Sequence, residues 1–352
     1  MKKNIDKIWY DDYAENMKAH SQSVTMKEIA EKAGVSQATV SRVLNNHPSV
    51  SPVKRQRVME WVRKLNFEPN YSAKTLAANS SQLIGVVLPD MQNPYFTEIL
   101  YHVEQRANVS GYSILVCNSN GDMQKEKSLL RQLKARQVDG ILIGLANPKS
   151  EVLETLARDH IKTVVITQDY DGIDCVAVSH QEGGKLAASY FLEADVTDFA
   201  FFGQDTDDKY LGFHNHLRGC GIGAEHIHTI GNHEDWYFST MKRGYHTLRD
   251  FIETHELHGK LGIFTVSDMY AVAVLQAARE LGLKVPDEVS IVGFDNIFLC
   301  EAVEPKLTSI AQPVEEIARL SLDLLLRRIE EKDRPQDHKH IILPPEIVRR
   351  GT

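Results

Sequence analysis

Apolar residues follow one rhythm before residue 66 and another after residue 82. Between Thr25 and Asn46 they recur at helical spacing. Ile29, Ala30 and Ala33 share a face of MKEIAEKA. Gly34 follows, where reversing the chain asks for a residue that tolerates φ > 0. Val35 anchors the turn, and the Ser36 hydroxyl is placed to N-cap a second helix. There Val40, Val43 and Leu44 face inward, leaving Gln37, Ala38, Ser41, Arg42 and Asn45 outside. Ser51 as cap and Pro52 in the first turn open a third helix. Val53, Val58, Trp61, Val62 and Leu65 form its apolar side and close a three-helix core. Its Lys54, Arg55 and Arg57 suit phosphate contacts. Pro69 stops this helix, and Asn70 can cap a short one over YSAKTLAA, too short to stand alone. A plain linker is the other reading of that segment.

From Leu83 onward, short apolar runs alternate with amphipathic helices. LIGVVLPD, YSILVCNS, GILIGLA and KTVVITQ read as buried strands, separated by helices over PYFTEILYHVEQRANVSG, QKEKSLLRQLKARQVD and KSEVLETLARDH. The alternation continues through the runs DFAFFGQ, KLGIFTVSD and VSIVGFDN. Between them lie DDKYLGFHNHLRGCG, STMKRGYHTLRDFIETHEL and MYAVAVLQAARELG. This order predicts an α/β fold of parallel sheets with helices on both faces. Two sheets fit the length better than one, with ligands expected at strand C-termini.

Charge changes the picture. The 352 residues sum to −8, which taken whole argues against nucleic acid. Thr25–Ser80, however, carries about +5, the first 24 residues balance, and the remainder carries about −13. A basic head on an acidic body is the footprint of a DNA-binding module joined to something else. A helix with Gln at its start and Arg one turn later can read base edges in a major groove. An ordinary wet surface would show the same polar face.

The four cysteines are far apart with no CxxC pair, as expected of free thiols in a reducing cytosol. No run approaches the roughly 18 apolar residues of a membrane span, and MKKNIDKIWYDD lacks the apolar core of a signal peptide. The polar residues 1–24, with Trp9, Tyr10 and Tyr13, read as a tail. EGGK at Glu182–Lys185 lacks phosphate-loop spacing, and no GxSxG, HExxH or paired-carboxylate motif argues for catalysis. Eight of the 15 histidines lie between His214 and His258, but HNH falls in a helix where i and i+2 diverge. No Cys or carboxylate completes a set there, so neither metal nor cofactor is expected.

AGVSQATVSRVLN, FEPN and KTLA resemble the lactose-repressor/galactose-repressor (LacI/GalR) family of transcription regulators. PDMQNPYF, GILIG, VSHQEGG, SDMYAVAVLQAARELGLKVPDEVSIVGFDN and LTSIAQP extend the resemblance to about Thr25–Thr352. It implies a helix-turn-helix DNA-binding domain over 25–69, a hinge helix over 70–81 and a body over 82–352, behind the 1–24 tail. The body would be two Rossmann-like subdomains of periplasmic-binding-protein type I architecture. Their expected bounds are 82–180 with 310–334, and 181–309 with 335–352. The crossovers then fall near His180–Gln181, Ser309–Ile310 and Asp333–Gln336. The sequence-reading positions fall on Gln37, Ala38 and Arg42. Ser36, Thr39, Ser41, Asn45, Lys54 and Asn70 are further DNA contacts, and Leu76 is a minor-groove wedge. Effector contacts fall on Asn93, Tyr95, Phe96, Lys209, Ser267, Asp268 and Asp295, with Trp236 as a stacking face. Asp268 and Asp295 could instead cap the helices that follow them.

Two positions depart from the family pattern. Lys209 in KYLGF stands where members commonly carry Arg; a lysine is a point charge, not a planar fork, and would suit a phosphorylated sugar. Thr167 or Gln168 stands where many relatives have an acidic residue. The resemblance implies a cytoplasmic homodimer on a palindromic operator, controlled by a sugar, sugar phosphate or nucleoside. No heptad tail follows the last helix to make tetramers. The competing expectation is a cytoplasmic solute-binding or sugar-processing protein on the same sheets, without DNA binding.

Overall fold

The computed structural model describes residues 24–44, 46–67, 80–146, 152, 156, 161–230, 240–255, 258–331 and 337–352, the side chains of 240–245 excepted. The tail 1–23, most of KSEVLETLARDH, Asn45, Asn70, Leu76, Trp236 and residues 332–336 lie outside these. The chain divides into two compact units, 1–79 and 80–352.

The first unit holds α1 (Met26–Ala33), α2 (Gln37–Leu44) and α3 (Pro52–Lys64). Ile29, Val40 and Val58, one from each helix, are fully buried at its centre. Thr25 caps α1, its Oγ1 accepting from Glu28 N–H at 3.2 Å. Gly34 takes φ 62°, and the Gly34 and Val35 N–H groups return to the carbonyls of Glu31 and Ala30. Ser36 caps α2 through Thr39 N–H at 3.2 Å.

Three sequence expectations for α3 fail. Ser51 is extended but makes no side-chain cap, so Pro52 starts the helix by its fixed φ alone. Val53 is 66% exposed; it lies five residues from Val58, about 140° round the helix from the buried stripe. Arg55 turns inward to the end of α2. Its Nη1 donates to Asn46 Oδ1 at 2.9 Å and its Nη2 to the His47 carbonyl at 2.8 Å.

The second unit has two six-stranded sheets. The first contains β1 (Leu83–Leu88), β2 (Ser113–Asn118), β3 (Gly140–Ile143), β4 (Thr163–Ile166), β5 (Asp174–Val178) and a late strand, His340–Leu343. Between them run α4 (Pro94–Val109) and α5 (Met123–Ala135); α6 (His180–Glu193) then leads to the second sheet. That sheet contains β6 (Asp198–Phe202), β7 (Ile227–Ile230), β8 (Leu261–Thr265), β9 (Val289–Asp295) and β10 (Thr308–Ala311). Its helices are α7 (Asp208–Gly219), α8 (Thr240–Thr254), α9 (Asp268–Glu280) and the short α10 (Leu299–Ala302). Then α11 (Val314–Glu330) returns to the first sheet, β11 is the late strand His340–Leu343, and β12 (Glu346–Val348) ends on the second.

The strand orders are 11-5-4-3-1-2 and 12-10-9-8-6-7; every pair is parallel except β10 with β12. β2 is an edge strand and only partly buried, unlike the buried strand its apolar run suggests. One continuous apolar core runs from Ile84 and Val86 through Ile317 and Leu322 to Ile263 and Ile291, joining both sheets.

The chain passes between sheets three times: from β5 to α6, from β10 to α11, and from β11 to β12. The second passage follows Ala311, not Ser309. The third falls at Pro344–Pro345, so residues 337–343 belong with the first sheet, not the second. Asp174 explains the third. Its carboxylate accepts from Arg328 Nε and Nη2 at 2.7 and 2.9 Å and from Lys339 N–H at 2.7 Å. Arg328 Nη2 also donates to the Asp337 carbonyl at 2.6 Å. Asp337 and Lys339, just past the expected crossing, are held at β5 by this pair, and β11 pairs with β5 directly behind them.

α6 and α7 cross with their backbones in contact. A Cβ on Gly184 would lie 2.0 Å from the Lys209 carbonyl oxygen, and one on Gly212 would lie 1.9 Å from that of Gln181. The glycines of EGGK therefore serve close approach, not phosphate binding.

Asp174 and Arg328 are both under a tenth exposed. Arg328→Ala strands a buried carboxylate. It should lower the unfolding free energy by about 3–5 kcal/mol, read from the urea midpoint at unchanged m.

Candidate functional site

On the first unit, Ser36, Gln37, Ala38, Arg42 and Lys54 are exposed, while Thr39 and Ser41 are partly so. The Ser36 hydroxyl is occupied by the cap and by Thr39 Oγ1 at 3.0 Å. Among the described residues no hydrogen bond engages the Gln37 or Arg42 side chain. Both point outward from a helix fixed at both ends, by Ser36 at the start and Arg55 at the finish. Such a helix can present a guanidinium and an amide to base edges without first ordering itself. Arg55 leaves the set of phosphate-contact candidates because its guanidinium is spent inside. Trp61 lies between two cations, Lys32 Nζ at 5.4 Å and Lys64 Nζ at 5.0 Å from its ring centre.

On the second unit the candidate site forms where strands of both sheets end. Asn93 caps α4, its Oδ1 accepting from Tyr95 N–H at 3.1 Å, and its Nδ2 donates to Asp295 Oδ2 at 3.3 Å. Gln312, just past β10, donates Nε2 to Asp295 Oδ1 at 2.7 Å and accepts from Tyr95 OH at 2.8 Å. These four residues make a circuit that joins the first sheet's α4 to the second sheet's β9. Asp295 closes it from a backbone at φ 114°, followed by Asn296 at 56°. Such φ values are uncommon outside glycine and cost of order 1–3 kcal/mol.

Lys209 lies nearby, mostly buried. Its Nζ is 3.6 Å from Asp207 Oδ2 and 4.8 Å from the centre of the Phe294 ring. His180, which opens α6, stands edge-on to the same ring at 5.5 Å. Burial first, and the Lys209 charge second, push its imidazole down to about 3. His180 is therefore neutral across the physiological range. Phe96 is half-buried and meets Tyr95 edge-on at 5.1 Å.

The two acidic candidates separate. Asp268 is fully buried and accepts from Ser309 Oγ at 2.6 Å, Ile297 N–H at 2.8 Å and Cys300 Sγ at 3.2 Å. A Cβ on Gly293 would sit 2.0 Å from its Oδ1. Both Asp268 oxygens are engaged and none of the residue is exposed, so in this structure it ties β9, β10 and α10 together. The sequence shows the strand end but not this depth. Ser267 is extended ahead of α9 and partly exposed, and makes no side-chain cap.

Sequence reasoning missed Gln312 and His180 as members of the site. It noted Gln168 only as a departure; its Oε1 is buried with no hydrogen-bond partner among the described residues. An amide two residues past the end of β4, lacking its acceptor's partner, was not legible as such.

Burial, then the nearby Asp268 carboxylate, raises Asp295 far above the ordinary carboxylate range, against the opposing pull of Lys209. A raised carboxyl keeps its proton in the folded state at pH values where the unfolded chain has lost it. Folding is then favoured below the unfolded value near 3.8 and disfavoured as pH rises to about 8. Asp295→Asn removes the titration. The stability of the variant relative to the parent should climb steadily between about pH 4 and pH 8 in parallel urea melts; a constant difference would contradict the raised value.

The family description "Bacterial regulatory proteins, lacI family" matches residues 25–70, and "Periplasmic binding protein-like domain" matches residues 188–352. The HTH-type transcriptional regulator RegA of Clostridium saccharobutylicum is 30% identical over 340 residues, covering 94% of this chain and 99% of RegA. The ribose operon repressor of Halalkalibacterium halodurans is 31% identical over 334 residues, covering 93% and 96%. The solved lac repressor dimer, bound to operator and the anti-inducer ONPF, superposes with a TM-score of 0.81 at 25% identity, covering 94% of this chain and 99% of that one. Helix-turn-helix head, paired parallel sheets and full-length similarity agree: the chain belongs to the lacI family of bacterial regulatory proteins, DNA-binding transcription regulators with a ligand-binding body.

Proposed function

We propose that the chain works as a homodimeric repressor whose hold on a palindromic operator is set by a neutral sugar bound between its two sheets. The observation that carries the DNA half is the outward, unengaged face of α2, Gln37 to Arg42, on a unit of net positive charge. Gln37 and Arg42 read base edges, and Ala38 offers its methyl to a thymine. Lys54 meets phosphate, with Ser36, Thr39, Ser41 and Asn45 beside it. Asn70 and the wedge Leu76 act at the operator centre, where an apolar side chain unstacks a base step. One such module reads only a few base pairs, so a two-fold operator asks for a two-fold protein.

The sugar half rests on the Asp295 circuit. A carboxyl that keeps its proton can donate to one hydroxyl and accept from another. Asn93 and Gln312 supply both kinds of group, and the half-buried Phe96 ring offers an apolar face for a sugar ring's C–H side. Lys209 does not favour a phosphorylated effector, because the Asp207 carboxylate 3.6 Å from its ammonium already balances its charge. The relative named for the ribose operon agrees with a sugar, and the lac repressor dimer with a two-fold operator complex. We assign no enzymatic step and place the protein with its DNA in the cytoplasm. Trp236 is the proposed stacking partner from outside the described residues.

Two measurements test this reading. A panel of pentoses and hexoses, each beside its phosphate, should raise the melting temperature with concentration for the neutral form of at least one sugar. A shift confined to phosphates would reverse the assignment of Lys209. In gel-shift titrations on the DNA upstream of its own gene, the protein should bind at low salt; no shift would favour a solute-binding role. Arg42→Ala should cost about 1–3 kcal/mol and relax selection at one base pair per half-site, seen by sequencing selected operators.

A further inference from the structure

Asp169, Cys175 and His340 are scattered in sequence but meet at the β4–β5–β11 side of the first sheet. Cys175 is the second residue of β5, His340 opens β11, and the two are opposite one another in the strand register. Asp169 lies in the connection from β4 to β5. Parallel neighbours are usually joined by a crossover of about a dozen or more residues, commonly a helix. Here only residues 167–173 intervene. Thr167 N–H still pairs with the Val176 carbonyl, so the connection must double back, and it delivers Asp169 to the start of β5. Cys175 Sγ donates to Asp169 Oδ1 at 3.3 Å, and His340 Nδ1 lies 2.9 Å from the same oxygen. All three atoms fall within 4.8 Å of one another.

We propose that Asp169, Cys175 and His340 bind a divalent transition-metal cation, zinc in the first instance, with water as the fourth ligand. The donor set is one sulfur, one imidazole nitrogen and one carboxylate oxygen. Zinc takes these at about 2.3, 2.0–2.1 and 2.0–2.2 Å, which spaces tetrahedral ligand atoms by roughly 3.3–3.6 Å. The nitrogen–oxygen and sulfur–oxygen separations, 2.9 and 3.3 Å, need only sub-ångström changes, and the sulfur–nitrogen separation lies within 4.8 Å. A lone carboxylate beside a thiol does not suit calcium or magnesium, which take oxygen cages. Cys175 is buried while Asp169 and the His340 ring reach solvent, so the sulfur forms the floor and the ion enters from outside. Asp174 is not a fourth ligand, because Arg328 and Lys339 N–H hold its oxygens.

The exchange balances without redox chemistry. The Cys175 S–H bond breaks, its electron pair forms the S–metal bond, and the proton leaves to solvent. His340 gives the lone pair of neutral Nδ1, and Asp169 is already a carboxylate. Because the thiol must give up its proton to bind, affinity should rise with pH. The ion would clip the β4–β5 connection to the last strand before the chain leaves the first sheet. Thr167 and Gln168 begin that same connection, so the clip would bear on the backbone next to the proposed sugar site.

Cobalt(II) titration of the full-length, reduced, chelator-stripped protein tests this. A thiolate-to-cobalt charge-transfer band should grow to one equivalent and be erased by added zinc. Cys175→Ser should abolish it. His340→Gln, at a half-exposed edge, should fold normally and weaken cobalt binding by at least the roughly tenfold that loss of even an outer-shell partner costs. Cys220 is the internal control: its Sγ lies 3.9 Å from His216 Nε2, a second cysteine–histidine pair, and Cys220→Ser should leave the band unchanged. Absence of a thiolate band, its persistence in Cys175→Ser, full-strength binding by His340→Gln, or its loss in Cys220→Ser would each overturn the assignment.

Discussion

A single carboxylate that water never reaches governs the geometry of the ligand-binding body. Asp268 opens α9, yet its hydrogen bonds run sideways, to Ile297 beyond β9, to Cys300 in α10 and to Ser309 in β10. An ionised or half-satisfied group at that depth is costly, so every donor must be in place for the fold to close around it. Gly293 leaves room for the oxygen to touch the backbone of β9. Pinned this way, β9 ends in the strained turn that carries Asp295, and β10 ends where Gln312 can reach it. One buried acid thus sets the position of another, Asp295, at the junction of the two sheets.

The two units solve different problems with the same economy. Among the described residues the small unit has a core of seven well-buried apolar side chains, and it recruits polar groups to define its helix ends. Thr25 and Ser36 close the starts; Gly34 and Arg55 close the finishes. That leaves the outer face of α2, opposite the buried Val40 and Val43, free of duties inside the protein, which is what a reading surface requires. The large unit has ample core and spends its polar groups where the sheets meet. Its negative charge, about −13 over residues 81–352, keeps duplex DNA from docking on the wrong face.

What the sequence made legible was whatever depends on neighbours along the chain. The helix-turn-helix was readable because Ile29, Gly34, Ser36 and Val40 act over a few residues. The alternation of strand and helix was readable because long periodic segments outlast local noise. What stayed hidden depends on depth or on distant partners. Asp268 and Asp295 look alike in sequence, each at the end of an apolar strand, and one is sealed while the other is poised. Arg55 reads as surface charge until the end of α2 is seen beneath it. The strands β5, β7, β10, β11 and β12 went unread because they are short and polar residues such as Asp174, His228, Thr308, His340 and Glu346 break the apolar run that marks β3 and β4. The last crossing was misplaced because a polar run beside a proline looks like a linker, and nothing along the chain shows that Arg328 and Asp174 tie Asp337 and Lys339 to the first sheet.

The contact between α6 and α7 has a consequence for how the cleft moves. His180 is the first residue of α6, and Lys209 sits in the first turn of α7. With glycine backbones touching at the crossing, neither helix can slide or roll against the other without a clash. The neutral imidazole and the ammonium on either side of Phe294 are thus mounted on one rigid block. Were the sheets to close on the proposed sugar, both groups would travel as one unit in a fixed mutual posture, like two jaws cut from a single casting. Chemical preference can then drift by exchanging those side chains while the mount keeps their spacing.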